Sequence, residues 1–218
     1  MDHEFWLDRW QNDQIGFHRS EVLPMLLKHW PALEPAAVSR VLVPLAGKSL
    51  DMLWLAEQGH QVLGVELSSR AVAQFLADNG LAARETESRH GRRFVTGNIE
   101  LICGDVFDLD SETVADCAAV YDRAALIALP PAMRRRYAEL LSRILPASCR
   151  MLLVTLEYDQ NEMDGPPFAV DGDEVRALYP GNWQVTELER EDILEREPHF
   201  AAKGLGALST TAWRITRA

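Results

Sequence analysis

Arg40-Val41-Leu42-Val43-Pro44-Leu45-Ala46-Gly47-Lys48-Ser49, answered a short helix later by Gln61-Val62-Leu63-Gly64-Val65-Glu66, is the passage on which the fold turns. Neither run alternates apolar with polar residues. A short apolar run bounded by turn residues is what a strand covered on both faces looks like. Between them Ser49–Gln58 reads as a helix stopped by Gly59. Strand, helix, strand at this spacing is a right-handed crossover unit, which makes the two strands parallel.

The same rhythm continues downstream. Ser69–Asn79 reads as a helix with Gly80 past its end, and Asn98–Cys103 as a third strand. The polar excursion Arg84–Gly97 before it reads as a loop or an extra hairpin. Ala118–Tyr121 is a fourth strand, Pro131–Ile144 a helix opened by proline, and Arg150–Tyr158 a fifth strand. After a short helix at Asp171–Tyr179, Trp183–Glu191 and Gly206–Arg217 read as strands joined by a modest loop. With no crossover helix between them they must pair antiparallel. Upstream, residues 1–35 read as a helical lid segment, with Phe5, Trp6, Leu7 and Trp10 ahead of Ile15-Gly16-Phe17 and a second helix from Ser20 to Trp30 ended by Pro31. Residues 36–218 then form the core, giving one domain over the 218 residues.

Charge narrows the partners. Twenty-two basic residues against 33 acidic give a net charge of −11, which repels a polyphosphate backbone. The runs Arg89–Arg93 and Arg134-Arg135-Arg136 are too short to reverse this, and the second reads as the solvated face of its helix. Nucleic acid is not expected as a partner, nor is a membrane, because no segment reaches the roughly 18 apolar residues a spanning helix needs. The acidic opening Met1-Asp2-His3-Glu4-Phe5 has no apolar signal core, so a cytoplasmic protein is expected. The sequence carries no sign of oligomeric state, and a monomer is the default expectation. Cys103, Cys117 and Cys149 have no CxxC spacing; they read as buried small hydrophobes, and no metal site is expected.

In a doubly wound sheet the ligand lies over the carboxyl ends of the strands. Gly47 lets the backbone turn tightly at the first of these ends. Glu66, at the second, can accept hydrogen bonds from both hydroxyls of a ribose. Glycine followed at this spacing by an acid indicates an adenosine-containing cofactor. The GxGxxG pattern that a pyrophosphate requires is missing. A cofactor without phosphate and with positive charge, S-adenosylmethionine, fits both that absence and the acidic balance. At the third strand end Asp105-Val106 can reach an adenine, Asp105 also suiting a helix cap; the fourth ends in Asp122-Arg123.

With these pieces in place, the chain resembles the thiopurine S-methyltransferase family, and its bacterial branch in particular, over nearly its whole length. The resemblance is carried by Phe5-Trp6-Leu7-Asp8-Arg9-Trp10 with Gly16-Phe17-His18, by Pro44–Ser49, by Gly64-Val65-Glu66, by Val106-Phe107-Asp108-Leu109, by Tyr121-Asp122-Arg123-Ala124-Ala125-Leu126 and by Gly165-Pro166-Pro167-Phe168. It departs from the family at Ala46, where cysteine is frequent, and at Ala124, where glycine is frequent. The resemblance implies an α/β, Rossmann-like class I methyltransferase with a seven-stranded, mostly parallel sheet, a C-terminal antiparallel hairpin and an N-terminal helical lid. It implies transfer of a methyl group from S-adenosylmethionine, leaving S-adenosylhomocysteine, to the sulfur of an aromatic or heterocyclic thiol such as a thiopurine. Bacterial members are linked to selenium and tellurium compounds too, which implies a role in metalloid resistance. It further implies Trp6, Trp10, Leu45, Glu66, Asp105, Val106 and Arg123 around the cofactor, beside the Gly47 turn already read there, and Phe17, Arg123 and Arg196 at the substrate.

Methyl transfer from a sulfonium is an in-line displacement, so alignment is the main task. Arg123 is expected to stabilise the thiolate and Asp122 to orient Arg123 or relay a proton through water. Trp6, Trp10 and Phe17 are expected to form an apolar lid. Acidic aromatic thiols need no strong base, and no catalytic dyad is expected. Two other readings compete: a nicotinamide-dependent oxidoreductase, which shares the Gly-to-acid spacing, and a cofactor-binding protein without catalysis.

Overall fold

The computed structural model describes residues 3–35 and 39–217. Met1, Asp2, residues 36–38 and Ala218 fall outside them, and with them the expected start of the core at residue 36. Nine strands among the described residues build a single sheet in the order β3-β4-β5-β2-β1-β6-β7-β9-β8. They are β1 Arg40–Pro44, β2 Gln61–Glu66, β3 Arg84–Ser88, β4 Gly91–Thr96, β5 Ile99–Cys103, β6 Cys117–Arg123, β7 Arg150–Glu157, β8 Trp183–Asp192 and β9 Ser209–Arg217. The helices are α1 His3–Gln11, α2 Pro24–His29, α3 Asp51–Glu57, α4 Ser69–Asp78, α5 Pro131–Ile144, α6 Gly172–Leu178 and α7 Pro198–Ala201.

The five central strands, β5-β2-β1-β6-β7, run parallel. Their apolar runs are continuous because each strand feeds two cores. In β1, Leu42 joins the cluster under α5 and α6, while Val41 and Val43 join the one under α2, α3 and α4. In β7, Met151 and Leu153 point one way and Leu152 and Val154 the other. Alternate residues on opposite faces, both covered by helices, leave no solvated side for polar residues to mark.

Three expectations change. The sheet has nine strands rather than seven, because the polar excursion is the hairpin β3–β4, which pairs antiparallel with β5. Gly91 permits that pairing: at φ +117° a Cβ there would lie 2.2 Å from the Cys103 carbonyl oxygen. The second helix of the lid begins at Pro24, not Ser20. Proline holds the residue before it extended, and Leu23 is extended at ψ 124° with its N–H donating to Asp51 Oδ1 at 2.9 Å. Arg134 is not on a solvated face. It is buried, donates to the Leu129 and Ala169 carbonyls, and pairs with Glu174 at 2.6 Å, tying α5 to the segment before α6.

The C-terminal hairpin is as read, with β9 antiparallel to both β7 and β8. Its connection is not a plain loop, since residues 193–208 carry a 3-10 turn at Leu194–Arg196 and then α7. Phe200, Leu205 and Leu208 of that excursion pack on Tyr158. The free cysteines are as expected at Cys117 and Cys149, both buried, with burial pushing each thiol up to about 12. Cys103 is only half-buried. No described helix is long and apolar enough to cross a membrane.

Candidate active site

The strand order reverses between β1, which leads outward through β2 to β5, and β6, which leads the other way to β7. A crevice at the carboxyl ends of the strands is the geometric consequence of that reversal. A cavity of about 640 Å³ occupies it. Its floor comes from Leu45–Ser49 after β1, Glu66 and Leu67 at β2, Gly104–Phe107 after β5, and Arg123 and Ala124 at β6. Its roof comes from α1 and the chain leading to α2, and one wall from the 193–203 excursion.

Glu66 is buried at the end of β2, where its Oε2 accepts the Gly47 N–H at 2.8 Å and its Oε1 the Ser68 N–H at 2.7 Å. Burial pushes its carboxyl above the usual range, and the backbone N–H groups of Ser68, Gly47 and Leu67 oppose that. A carboxylate has about four lone-pair sites, so the oxygens keep capacity for at least one further donor. Gly47 sits at φ +54°, and a Cβ there would meet the Trp10 ring at 3.3 Å. The missing side chain lets the lid tryptophan seat on the β1 loop. Trp10 is 3% exposed, and Phe17 packs edge-on against Trp6 at 5.9 Å and Trp10 at 5.6 Å. The aromatic cluster therefore roofs the cavity as expected.

Two non-glycine residues at the strand tips hold left-handed backbone, Leu45 at φ +47° and Ala124 at φ +63°. Both border the cavity. Such conformations cost about 1–2 kcal/mol each without glycine and concentrate at functional sites. They turn the chain sharply away from the sheet, so that the floor stays open.

Arg123 is half-buried on the cavity, and its guanidinium makes no hydrogen bond or ion pair within the described residues. Arg196 also reaches the cavity, from the 3-10 turn, but it is committed to Glu191 at 2.7 Å and largely exposed. Asp105 and Val106 line the cavity as expected. Asp105 is already engaged, capping the turn at Phe107 N–H at 2.9 Å and pairing with His3 of α1 at 2.7 Å. Asp122 does not reach the cavity. It is fully buried, its Oδ1 accepts the Leu126 N–H at 3.1 Å and its Oδ2 the Tyr137 hydroxyl at 2.7 Å. Burial pushes its carboxyl up to about 6. The relay expected of it is corrected to a structural role: it pins the turn that follows Arg123, on the α5 side of the sheet.

Several cavity residues escape a reading confined to four strand tips. Val154 and Leu156 come from the end of β7, the fifth tip. Pro166 and Pro167 close the far side, held by Phe168 N–H donating to the Ile127 carbonyl at 2.7 Å. His18, Arg19 and Lys48 add polar groups, and Arg19 ties the lid to Glu197 at 3.0 Å. The rule that finds Glu66 and Arg123 finds the β7 residues too, once applied to every parallel strand.

This is the fold and crevice of the Rossmann-like class I methyltransferases. The thiopurine S-methyltransferase family model matches residues 1–218. The chain belongs to that family. A thiopurine S-methyltransferase of Xanthomonas campestris pv. campestris (strain 8004) is 57% identical over 217 residues, covering 100% of each chain. One from Bordetella parapertussis is 54% identical, covering 100% of this chain and 99% of its own. Among solved structures, a Burkholderia thailandensis 1,6-didemethyltoxoflavin-N1-methyltransferase with bound S-adenosylhomocysteine superposes with a TM-score of 0.62 at 18% identity, covering 98% of this chain and 87% of its own. The oxidoreductase and non-catalytic readings are not favoured beside these likenesses.

The residues present fit the family's cofactor better than a dinucleotide. A pyrophosphate would need glycine-rich backbone and an electropositive helix start. The helix after β1 instead opens on buried Asp51, whose carboxylate is held by the Leu23 N–H and the Tyr121 hydroxyl. A cation meets no such penalty there.

Proposed function

We propose that the chain moves the methyl group of S-adenosylmethionine to the sulfur of an aromatic or heterocyclic thiol, thiopurines included, with selenolates and tellurium compounds as further soft acceptors. The observation that carries the reading is the pairing, in one crevice, of a buried acid suited to a ribose with an arginine that has no partner among the described residues. When bound, the cofactor supplies an electrophilic methyl carbon on a sulfonium sulfur.

Glu66 would hold the ribose, with Leu45, Val106 and the Gly47 backbone around the rest of the nucleoside. Asp105 would meet the adenine once His3 yields or with its remaining lone pairs. Trp6 and Trp10 would shield the sulfonium from water and attract it through their ring faces. Phe17 would stand between cofactor and acceptor. Arg123 would hold the thiolate by its charge and planar fork, fixing the sulfur at attack distance. Arg196, at the mouth, would contact the acceptor only after leaving Glu191. The acceptor wall is apolar, made by Ile127, Leu156, Pro166, Pro167 and Phe200, which suits flat rings of varied shape.

We read residues 1–218 as one methyltransferase domain working as a cytoplasmic monomer. Nucleic acid is not a partner on this reading, because the net charge of −11 opposes it. The test is methyl transfer from labelled S-adenosylmethionine to 6-mercaptopurine and to a panel of thiol, selenol and tellurium acceptors. Thioether and S-adenosylhomocysteine formed in equal amounts support the proposal, and no labelled thioether with any thiol overturns it.

A further inference from the structure

His18 is a polar group of the cavity that the account so far leaves idle. It follows Phe17 in the lid, lines the cavity with Arg123, and is half-buried. Its backbone N–H donates to the Ile15 carbonyl at 2.8 Å, which fixes the turn that presents the ring. The imidazole makes no hydrogen bond or ion pair within the described residues, unlike His3, His29, His60, His90 and His199. The charged groups that act on it are Lys48 from the β1 loop, Arg123 from β6 and, opposing them, Asp78 at the end of α4. Lys48 is itself paired with Asp78 at 2.9 Å. Burial, then Lys48 and Arg123, hold the imidazole below its ordinary range, which favours the ring's neutral form, the one that can accept a proton.

We propose that His18 is the general base for acceptors that arrive as thiols, taking the S–H proton while Arg123 holds the sulfur. The inference rests on the S-methylation reading and extends it from pre-ionised acceptors to weakly acidic ones. In the step, the S–H bond breaks and its electron pair stays on sulfur, giving thiolate and imidazolium. The thiolate sulfur then bonds to the methyl carbon, and the pair of the broken bond remains with the cofactor's sulfur, giving thioether and S-adenosylhomocysteine. The imidazolium finally returns its proton to solvent. Between an imidazolium and a guanidinium, a thiolate is stabilised from both sides. The cationic surroundings that keep His18 neutral when the site is empty of anion become favourable once the anion forms.

The size of the effect follows from how much acceptor is already ionised. An alkyl thiol is at most a few per cent thiolate at pH 7, so losing the base costs about 30-fold or more, whereas a pre-ionised acceptor gains nothing from it. The test compares wild type and His18→Gln on benzyl mercaptan and on 5-thio-2-nitrobenzoate, with S-adenosylhomocysteine affinity as the check on folding. The expected result is a loss of kcat/KM on benzyl mercaptan that exceeds the loss on 5-thio-2-nitrobenzoate by about 30-fold. The wild-type profile on benzyl mercaptan should fall on an acid limb below pH 6.5, while the variant follows the thiol's own ionisation upward. Independently of turnover, the His18 ring resonances of labelled protein with S-adenosylhomocysteine should titrate at higher pH when benzyl mercaptan is added. Equal losses on both acceptors, no turnover of benzyl mercaptan by the wild type, or an unmoved His18 titration would overturn the proposal. Wild-type inactivity on both thiols would overturn the S-methylation reading itself.

Discussion

Two buried carboxylates stand at strand tips on either side of β1, and they behave as opposites. Glu66 ends β2 and Asp122 lies one residue from the end of β6. Each accepts hydrogen bonds on both oxygens, and burial raises both carboxyls. Glu66 opens on the cavity and takes only backbone N–H donors, leaving lone pairs to offer. Asp122 is sealed beneath α5, where a tyrosine hydroxyl and the Leu126 N–H claim its two oxygens. Burial at a strand tip is therefore not a sign of chemistry; the direction the side chain faces decides. Arg123, one residue past Asp122, faces the other way, and its guanidinium has no hydrogen-bond or ion-pair partner among the described residues.

The largest expected effect separates these neighbours. Arg123→Ala should cut turnover about 100-fold or more, the scale of losing a donor to developing charge, while S-adenosylhomocysteine affinity in calorimetry changes little. Asp122→Asn should reduce turnover far less; a collapse matching that of Arg123→Ala would restore the proton relay and erase the contrast.

The second effect is on stability. Because folding raises Asp122 to about 6 from an ordinary value near 3.8, the folded state binds the proton more tightly than the unfolded chain. Its penalty is full above pH 6 and is relieved as pH falls from about 6 to about 4, by about 3 kcal/mol at most. Urea melts of wild type and Asp122→Asn across that window should diverge in this direction. Parallel curves would mean that Asp122 titrates normally.

A third test acts on the other carboxylate. Glu66→Ala should weaken S-adenosylhomocysteine binding by about 10- to 30-fold, measured by calorimetry, as the loss of hydrogen bonds to a charged acceptor. It should also destabilise the fold by about 1–3 kcal/mol, because the Gly47 and Ser68 N–H groups lose their buried acceptor. A purely functional residue would spare the fold, so unchanged melting would show that the two hydrogen bonds matter little. The smallest effect is at the lid: His3→Ala removes a partner that is mostly exposed and should change that affinity by about threefold at most.

Much of this contrast was open to a reader of the chain. The five parallel strands were legible because two-sided burial writes itself as unbroken apolar runs, as in Arg40–Pro44 and Arg150–Glu157. The β3–β4 hairpin was not, since residues such as Arg84, Glu85, Arg92 and Arg93 lie at an edge that leaves little apolar signal. Glu66 and Arg123 followed from the strand-tip rule. Asp122 was misjudged although its parity was available: Val120 and Asp122 share one face of β6, Tyr121 and Arg123 the other, and Val120 packs in the α5 cluster. Ala124 holds a left-handed φ of +63°, a backbone property that only the folded chain reveals. His18 lies in a lid turn with no periodicity, so only the cavity marks it out.

The most direct test of the crevice itself is a calorimetric titration of the wild-type protein with S-adenosylhomocysteine and, separately, with NADH. The account predicts saturable binding of S-adenosylhomocysteine at one site per chain and no saturable binding of NADH. Binding of NADH without S-adenosylhomocysteine would contradict it.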